Sequence, residues 1–407
     1  MSLIFIGFLS CDKNDDDDYE FVQVATPQLM SKSAFRSSVD IVAPKAIEEP
    51  GKIYVYNNYI FVGDVDAGIH VIDNSNPEAP QAIKFIEIPG NEDISVKDNF
   101  LYADSATDLV VFDISDINNV TIVERLEDVF NVYDLDIPTE AQAVEYGKYD
   151  FEEDIIVGWT VTTERRKKVD NSRIDFVTND VVPLSSGAES ATGTGGSLAR
   201  FQIVDNYLYA VGNYEMAIFN IQNLKEPLLA NTQYAGWNIE TMFQAGGYLY
   251  LGSTNGMYIY SLDNPSDPEF VSEFVHWEGC DPVVVDGDYA YLTLRGGNLC
   301  GQIESVLEVI DISDKSNPVL AERYSLENPY GLGVRNDMLY VCDGTAGLKL
   351  FERETPKDLK LVETLQDVQA TDVIPLDNSL IMIGGETLYQ YKYLENNIEL
   401  ISSFKLD

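Results

Sequence analysis

The stretch Asn57-Asn58-Tyr59-Ile60-Phe61-Val62, followed by Ile69-His70-Val71-Ile72-Asp73 and then by Asn74-Ser75-Asn76-Pro77, is rewritten many times along this chain. Its opening, a polar pair before an alternating aromatic and aliphatic run, returns as Asp98-Asn99-Phe100-Leu101-Tyr102 and Asp205-Asn206-Tyr207-Leu208-Tyr209. It returns again as Gly246-Gly247-Tyr248-Leu249-Tyr250, Gly287-Asp288-Tyr289-Ala290-Tyr291, Asn336-Asp337-Met338-Leu339-Tyr340 and Asp377-Asn378-Ser379-Leu380-Ile381. The second polar residues stand at 58, 99, 206, 247, 288, 337 and 378, with intervals of 41, 107, 41, 41, 49 and 41. A second run of β-branched and aromatic residues follows each, as in Leu109-Val110-Val111-Phe112-Asp113 and Leu307-Glu308-Val309-Ile310-Asp311.

Short runs of this composition, with partial period-two alternation, are strands, and the Asn/Asp/Ser/Pro clusters between them are turns. A further strand precedes each polar pair and another follows each Pro-containing turn. Four strands in a unit of about 40 residues is the pattern of a propeller blade. The chain is therefore read as all-β: a seven-bladed β-propeller of four-stranded blades, with no amphipathic helix of useful length. Blade two exceeds the period by 66 residues and blade five by 8. The long insertion falls at about 131–198, after the outer strand of blade two. The short one falls around Arg295 to Glu304, between the second and third strands of blade five. Both positions lie on the face that carries the second-to-third turns and the links between blades, the upper face. A strand pair is expected around Asp154 to Lys168. The Ser/Gly/Thr-rich Ser185 to Ser197 is expected to be mobile, with Gly193-Thr194-Gly195-Gly196 as linker.

The strand text, Gly68-Ile69-His70-Val71-Ile72-Asp73-Asn74-Ser75 with Ile88-Pro89-Gly90-Asn91 after it, resembles the LVIVD-repeat family of bacterial β-propellers, in particular its envelope lipoproteins of the Bacteroidetes. The resemblance runs over about residues 21 to 407. It implies a seven-bladed propeller on the cell envelope and brings no reaction with it. Residues 1–10 are almost wholly apolar and too short to span a bilayer, which needs about 20 residues, so they suit the core of a signal peptide. Phe8-Leu9-Ser10-Cys11 resembles a bacterial lipobox, which implies lipidation at Cys11. The acidic stretch Asp15 to Asp18 within the tether 11–20 resembles a lipoprotein surface-export signal, which implies outer-membrane anchoring with surface exposure, a periplasmic location being the alternative. The domain plan is thus signal peptide 1–10, lipidated cysteine and tether 11–20, and one propeller domain over 21–407.

The chain carries 26 basic and 68 acidic residues, a formal net charge of −42 over 407 residues. Such a charge repels phosphate backbones and excludes a nucleic-acid partner. Contact with a membrane is expected through the lipid anchor only, and a monomer is expected. Arg165-Arg166-Lys167-Lys168 is the one basic cluster, expected to be a solvated strand end beside carboxylates, with an anion site as the alternative.

The tryptophans Trp159, Trp237 and Trp277 all fall in links between blades or in the long insertion. Asn238, Glu240, His276, Asp281 and Tyr330 stand beside them or at equivalent points. Exposed aromatic rings near amides and carboxylates suit a glycan or peptide ligand, by stacking and hydrogen bonding; packing between blades is the competing role for such tryptophans. Cys280 and Cys300 both lie on the upper face of blade five, and a disulfide between them would close a 21-residue segment and stabilise by about 3 kcal/mol in the chain-entropy model. Cys342, within a strand, is expected to be buried.

The chain has two histidines and lacks His-Glu-x-x-His, Cys-x-x-Cys, Gly-x-Ser-x-Gly and Walker motifs. No cofactor and no metal are expected, although Asp64-x-Asp66 and Asp104-x-x-x-Asp108 supply oxygens of the kind calcium uses. The leading expectation is a non-catalytic binding propeller for a glycan, peptide or partner protein. Its competitor is a hydrolase or lyase with carboxylates at the central channel.

Overall fold

The computed structural model describes residues 19–130, 137–167, 192–276, 282–296, 304–395 and 397–406. Cys11, Trp277, Cys280, Asp281 and Cys300 lie outside these residues, and with them the lipidation and disulfide expectations. Where the sequence predicts one domain over 21–407, the chain gathers into two compact units: residues 1–37 with 134–179, and residues 38–133 with 180–407.

The smaller unit is built on a long antiparallel pairing of Tyr19–Ser31 with Asp154–Lys167, in register from Tyr19↔Lys167 to Ser31↔Asp154 with one bulge at Gln28/Leu29. Ala143–Val144 adds a short parallel strand on the other edge of Tyr19–Ser31. The strand pair expected within the insertion is thus one strand of the insertion joined to the amino-terminal segment. Tyr19 and Glu20, expected to belong to the tether, are already part of this strand, for which Asp154–Lys167 supplies the partner edge. At the end of this pairing Arg166 meets Glu145 at 2.5 Å and Glu164 at 2.9 Å, and the Arg165 guanidinium lies 4.3 Å from the Tyr19 ring centre. The basic cluster accordingly neutralises adjacent carboxylates. Lys32–Ser37 forms one short helix that buries Phe35.

The larger unit repeats an antiparallel four-stranded meander, in a β-propeller-like arrangement. The first sheet runs Pro50–Tyr56, Tyr59–Asp64, Gly68–Asp73, Gln81–Glu87, and Asp40–Val42 adds an edge beyond it. The inner strands of the following sheets are Ile94–Lys97, Phe201–Val204, Ile239–Ala245, Val283–Asp286, Leu332–Arg335 and Asp372–Pro375. The polar pairs that marked the repeat are the turns from inner to second strand. Asn57, Asp205 and Asn336 take positive φ there, as do Asp98 with Asn99 and Gly246 with Gly247. Tight hairpins twisted like their strands require that backbone, and Asn, Asp and Gly tolerate it.

The aromatic that stands third in the second strand of every sheet but the last explains part of the tyrosine richness. Tyr102 donates its hydroxyl to the Leu224 carbonyl at 2.8 Å, Tyr291 to Pro356 at 2.9 Å, and Tyr209 to Pro265. Each bond reaches from one sheet to a turn of the next, so a buried ring fills the seam while its polar end is satisfied. The first sheet packs on the last through Ile53, Val55 and Ile60 against Ile374, Ile381 and Ile383. Asn74 and Gln390 exchange two amide hydrogen bonds across the same junction, at 2.7 and 3.0 Å.

Candidate functional site

The second strands of three sheets end in a buried or half-buried aspartate. Asp64 accepts from the Glu48 and Glu49 amides at 3.1 and 2.8 Å, and His70 Nε2 stands 3.3 Å from it. Asp104 accepts from the Glu92 and Asp93 amides at 2.8 and 3.1 Å and from the Asn91 side chain at 2.6 Å. Asp343 accepts from the Glu327 and Asn328 amides at 3.0 and 2.7 Å and pairs with Lys349. In each case the carboxylate clamps the link that enters its own sheet. The oxygens considered for calcium at Asp64 and Asp104 therefore already serve backbone amides. Among the described residues no group of three or more His, Cys, Asp or Glu is placed to hold a metal ion.

The centre of the larger unit holds the largest departure from the sequence reading. Residues 192–200, of which 192–197 close the stretch expected to be mobile linker, run along the inner strands. Thr194 and Gly195 pair with Val55 and Tyr54, and Gly193 donates to Val96 at 2.9 Å. Ser197 Oγ accepts from the Leu332 amide at 2.8 Å, and Ala199 accepts from Met242 at 2.7 Å. Glycine is needed because the approach is close: a Cβ on Gly193 would overlap the Tyr54 ring, and one on Gly196 the Asp372 carboxylate. The segment thus touches inner strands of the first, second, fourth, sixth and last sheets. Part of the central channel, where convergent carboxylates would have to act as hydrolase or lyase groups, is therefore occupied by the chain itself. A cleft lined by Lys52, Tyr54, Asn91, Glu92 and Asp93 has a cavity volume of only about 10 Å³, room for no more than a single water molecule.

The sequence-predicted residues separate into groups. Trp237 and Asn238 sit in the link between the third and fourth sheets, and Trp237 is 54% exposed. Its ring meets Tyr214, itself 40% exposed, edge to face with centroids 5.2 Å apart. Tyr234, exposed and an electrostatic neighbour of Tyr214 and Tyr258, stands beside them. The link is held from below. Trp237 N–H donates to the Tyr258 hydroxyl at 3.3 Å, and Ile239 N–H to the Asn213 carbonyl at 2.8 Å. Gly236, with φ 136°, lies on the Tyr258 ring where a side chain would collide. Arg200 donates to Asn213 Oδ1 at 2.8 Å and to the Ile239 carbonyl at 3.2 Å. Glu240 is half-buried on the inner strand below.

The other predicted residues lie elsewhere. His276 is buried, with Nδ1 3.0 Å from Glu308 Oε2, and Glu308 also accepts from Arg323 Nε at 3.0 Å. Burial opposes ionisation of Glu308, but His276 and Arg323 outweigh it and hold the carboxyl below its usual range. His70 is likewise internal, and burial pushes its ring below the ordinary histidine value against the pull of Asp64. Tyr330 is half-buried under the Arg295 guanidinium, 4.2 Å from its ring centre. Trp159 stands in the smaller unit, edge-on to Tyr146 at 6.0 Å. Cys342 is buried and unpaired with another cysteine, and burial drives its thiol upward. Tyr214 is the partner that sequence reasoning missed. Its signal was its place in a second-to-third turn, Gly212-Asn213-Tyr214, on the same face as the Trp237 link.

No helix among the described residues is long and apolar enough to cross a membrane. No curated protein matches the chain. Solved structures that resemble it include the computationally designed Ika8 protein, at 10% identity and TM-score 0.49 over 89% of each chain. Kluyveromyces lactis Hsv2 resembles it at 11% identity and TM-score 0.46, over 88% of this chain and 100% of that one. BamB from Moraxella catarrhalis does so at 9% identity and TM-score 0.47, over 92% and 99%. The LVIVD repeat model matches residues 50–84, 91–128 and 280–325, a narrower span than the resemblance expected over 21–407. These three stretches cover the first, second and fifth sheets, so the chain contains LVIVD repeats within a β-propeller-like domain.

Proposed function

We propose that this chain is a seven-bladed propeller lipoprotein of the cell envelope, surface-exposed and anchored through Cys11, and that it binds a glycan without transforming it. The carrying observation is the exposed Tyr214–Trp237 pair on the link-bearing face. Two rings at 66° make a corner in which a pyranose ring can stack by its C–H face on one and edge against the other. Asn213 and Asn238 adjoin these two aromatics in sequence, and their side-chain amides can supply hydrogen bonds to hydroxyl groups. A non-catalytic role is supported by the 192–200 segment lying along the inner strands and by Asp64, Asp104 and Asp343, whose carboxylates serve backbone amides. With a formal charge of −42, a neutral saccharide is favoured over an anionic one.

A glycan array read with the intact protein tests this reading, followed by titration of any hit against Trp237→Ala and Tyr214→Ala. Both rings are exposed, so the variants should fold, and each should weaken binding by about tenfold or more, the loss of roughly 1.4 kcal/mol of stacking. Unchanged affinity in both variants would remove the site from consideration. Binding of peptides in place of saccharides would move the ligand to the other class. For the anchor, incorporation of labelled fatty acid is expected in the native chain and absent from Cys11→Ser.

A further inference from the structure

The channel segment meets one group that its other contacts do not explain. Asp372 opens the inner strand of the last sheet and is fully buried. Its Oδ1 accepts from the Val373 amide at 2.9 Å and the Ile53 amide also favours the anion, but Oδ2 has no hydrogen bond of good geometry among the described residues. Gly196 of the channel segment and Gly331 of the sixth sheet's entry both press on this carboxyl so closely that a Cβ on either would collide with it. A buried carboxylate oxygen without a partner is costly, whereas a neutral carboxyl is tolerated far better.

The charged groups around Asp372 do not rescue the anion. From the first sheet Lys52 favours it, but Lys52 stands 3.4 Å from Asp93 and is shared with that acid. From the second sheet Asp93 opposes it as a like charge; Asp93 itself accepts from the Phe201 amide at 3.0 Å and from the Arg200 amide. From the sixth sheet the buried Cys342 thiol lies within electrostatic reach, with Asp343 beyond it. The channel segment brings only Gly196 and Ser197 at this point, neither of which carries charge.

We propose that Asp372 is the catch of a pH-responsive latch: its neutral carboxyl lets the 192–200 segment seat in the channel, and its ionised form releases the segment. Burial foremost pushes Asp372 up to about 7 in the seated state. A released segment would let water reach the carboxyl and return it to the usual range near 4. Between those values the seated state keeps a proton that the released state has lost, so release becomes more favourable as pH rises. The gain is about fiftyfold between pH 5 and pH 7, and it levels off above about pH 8 where both states are ionised. The latch is therefore tight in acid and looser at neutral pH, where Lys52 and Asp93 become accessible.

Hydrogen–deuterium exchange of the full-length protein tests this, read on the peptide spanning 192–200 from pH 5 to pH 8.5 and corrected for the chemical exchange rate. In the native protein the opening constant should rise about fiftyfold from pH 5 to pH 7 and flatten above about pH 8, while peptides from the outer strands stay level. Asp372→Asn keeps the Oδ1 acceptor and should abolish the rise. A level native profile overturns the proposal without any variant, and so does a rise that persists in Asp372→Asn. A rise shared equally by the outer strands also overturns it, since that reports global loosening.

Discussion

Replacing Gly196 with valine should destabilise the protein by about 3 kcal/mol or more, at the upper end of what overpacking in a closed core costs. The new side chain would have to occupy the place of the Asp372 carboxylate. The clash cannot be relieved by moving the segment alone. Its neighbours Thr194 and Gly195 are paired with the first sheet, and Ser197 is bonded to Leu332 in the sixth. Either those bonds break or the inner strands separate, and both changes reach several sheets. Gly212→Val is the matching control. A Cβ there meets nothing within 4 Å and the residue is exposed, so its effect should stay within about 0.5 kcal/mol. Urea unfolding midpoints of the two variants decide the matter. Similar losses in both would show that the channel segment is not a fastener of the fold.

Asp343→Ala should lower stability by about 3–5 kcal/mol, the range for breaking a buried ion pair from one side. Two backbone amides, Glu327 and Asn328, lose their acceptor, and Lys349, only 13% exposed, keeps its charge without the carboxylate that met it. Lys349→Met in the same chain should recover part of the loss, because the stranded charge goes while the amides stay unserved. A double-mutant cycle over Asp343 and Lys349 measures that coupling. Additive single losses would mean that the pair does not interact in the folded protein and that the amide clamp alone holds the link. Asp64 and Asp104 occupy the matching place in the first two sheets, so the same reasoning extends to them.

The repeat itself was legible because each of its parts is local. A polar pair makes a tight turn whichever sheet it belongs to, since the positive φ at Asn57, Asp205 or Asn336 depends on that residue and its neighbours. The flanking alternation determines which side chains face inward, and the outcome at Tyr102, Tyr209 and Tyr291 is burial in every case. Trp237 was legible only as an aromatic in a link between sheets, with packing in the seam and exposure both open, and the structure leaves it 54% exposed. Its partner was not legible, because Tyr214 belongs to a different turn and only the packing of those two loops puts the rings 5.2 Å apart.

What the amino-acid sequence determined by itself is the repeated antiparallel sheet, its turns and the places where the repeat is interrupted. All of these follow from short-range backbone preference and period-two burial. Only the tertiary structure decided where the interruptions go. The insertion's strand Asp154–Lys167 pairs with Tyr19–Ser31, more than a hundred residues away in sequence, and pairing at that distance leaves no local mark. Thr-Gly-Thr-Gly-Gly-Ser reads as linker because glycine favours no conformation of its own. Inside a ring of inner strands the same lack of side chains is what lets the segment approach Tyr54 and Asp372 so closely. Whether glycine means freedom or close contact is settled by what surrounds it, and that information lies in other parts of the chain.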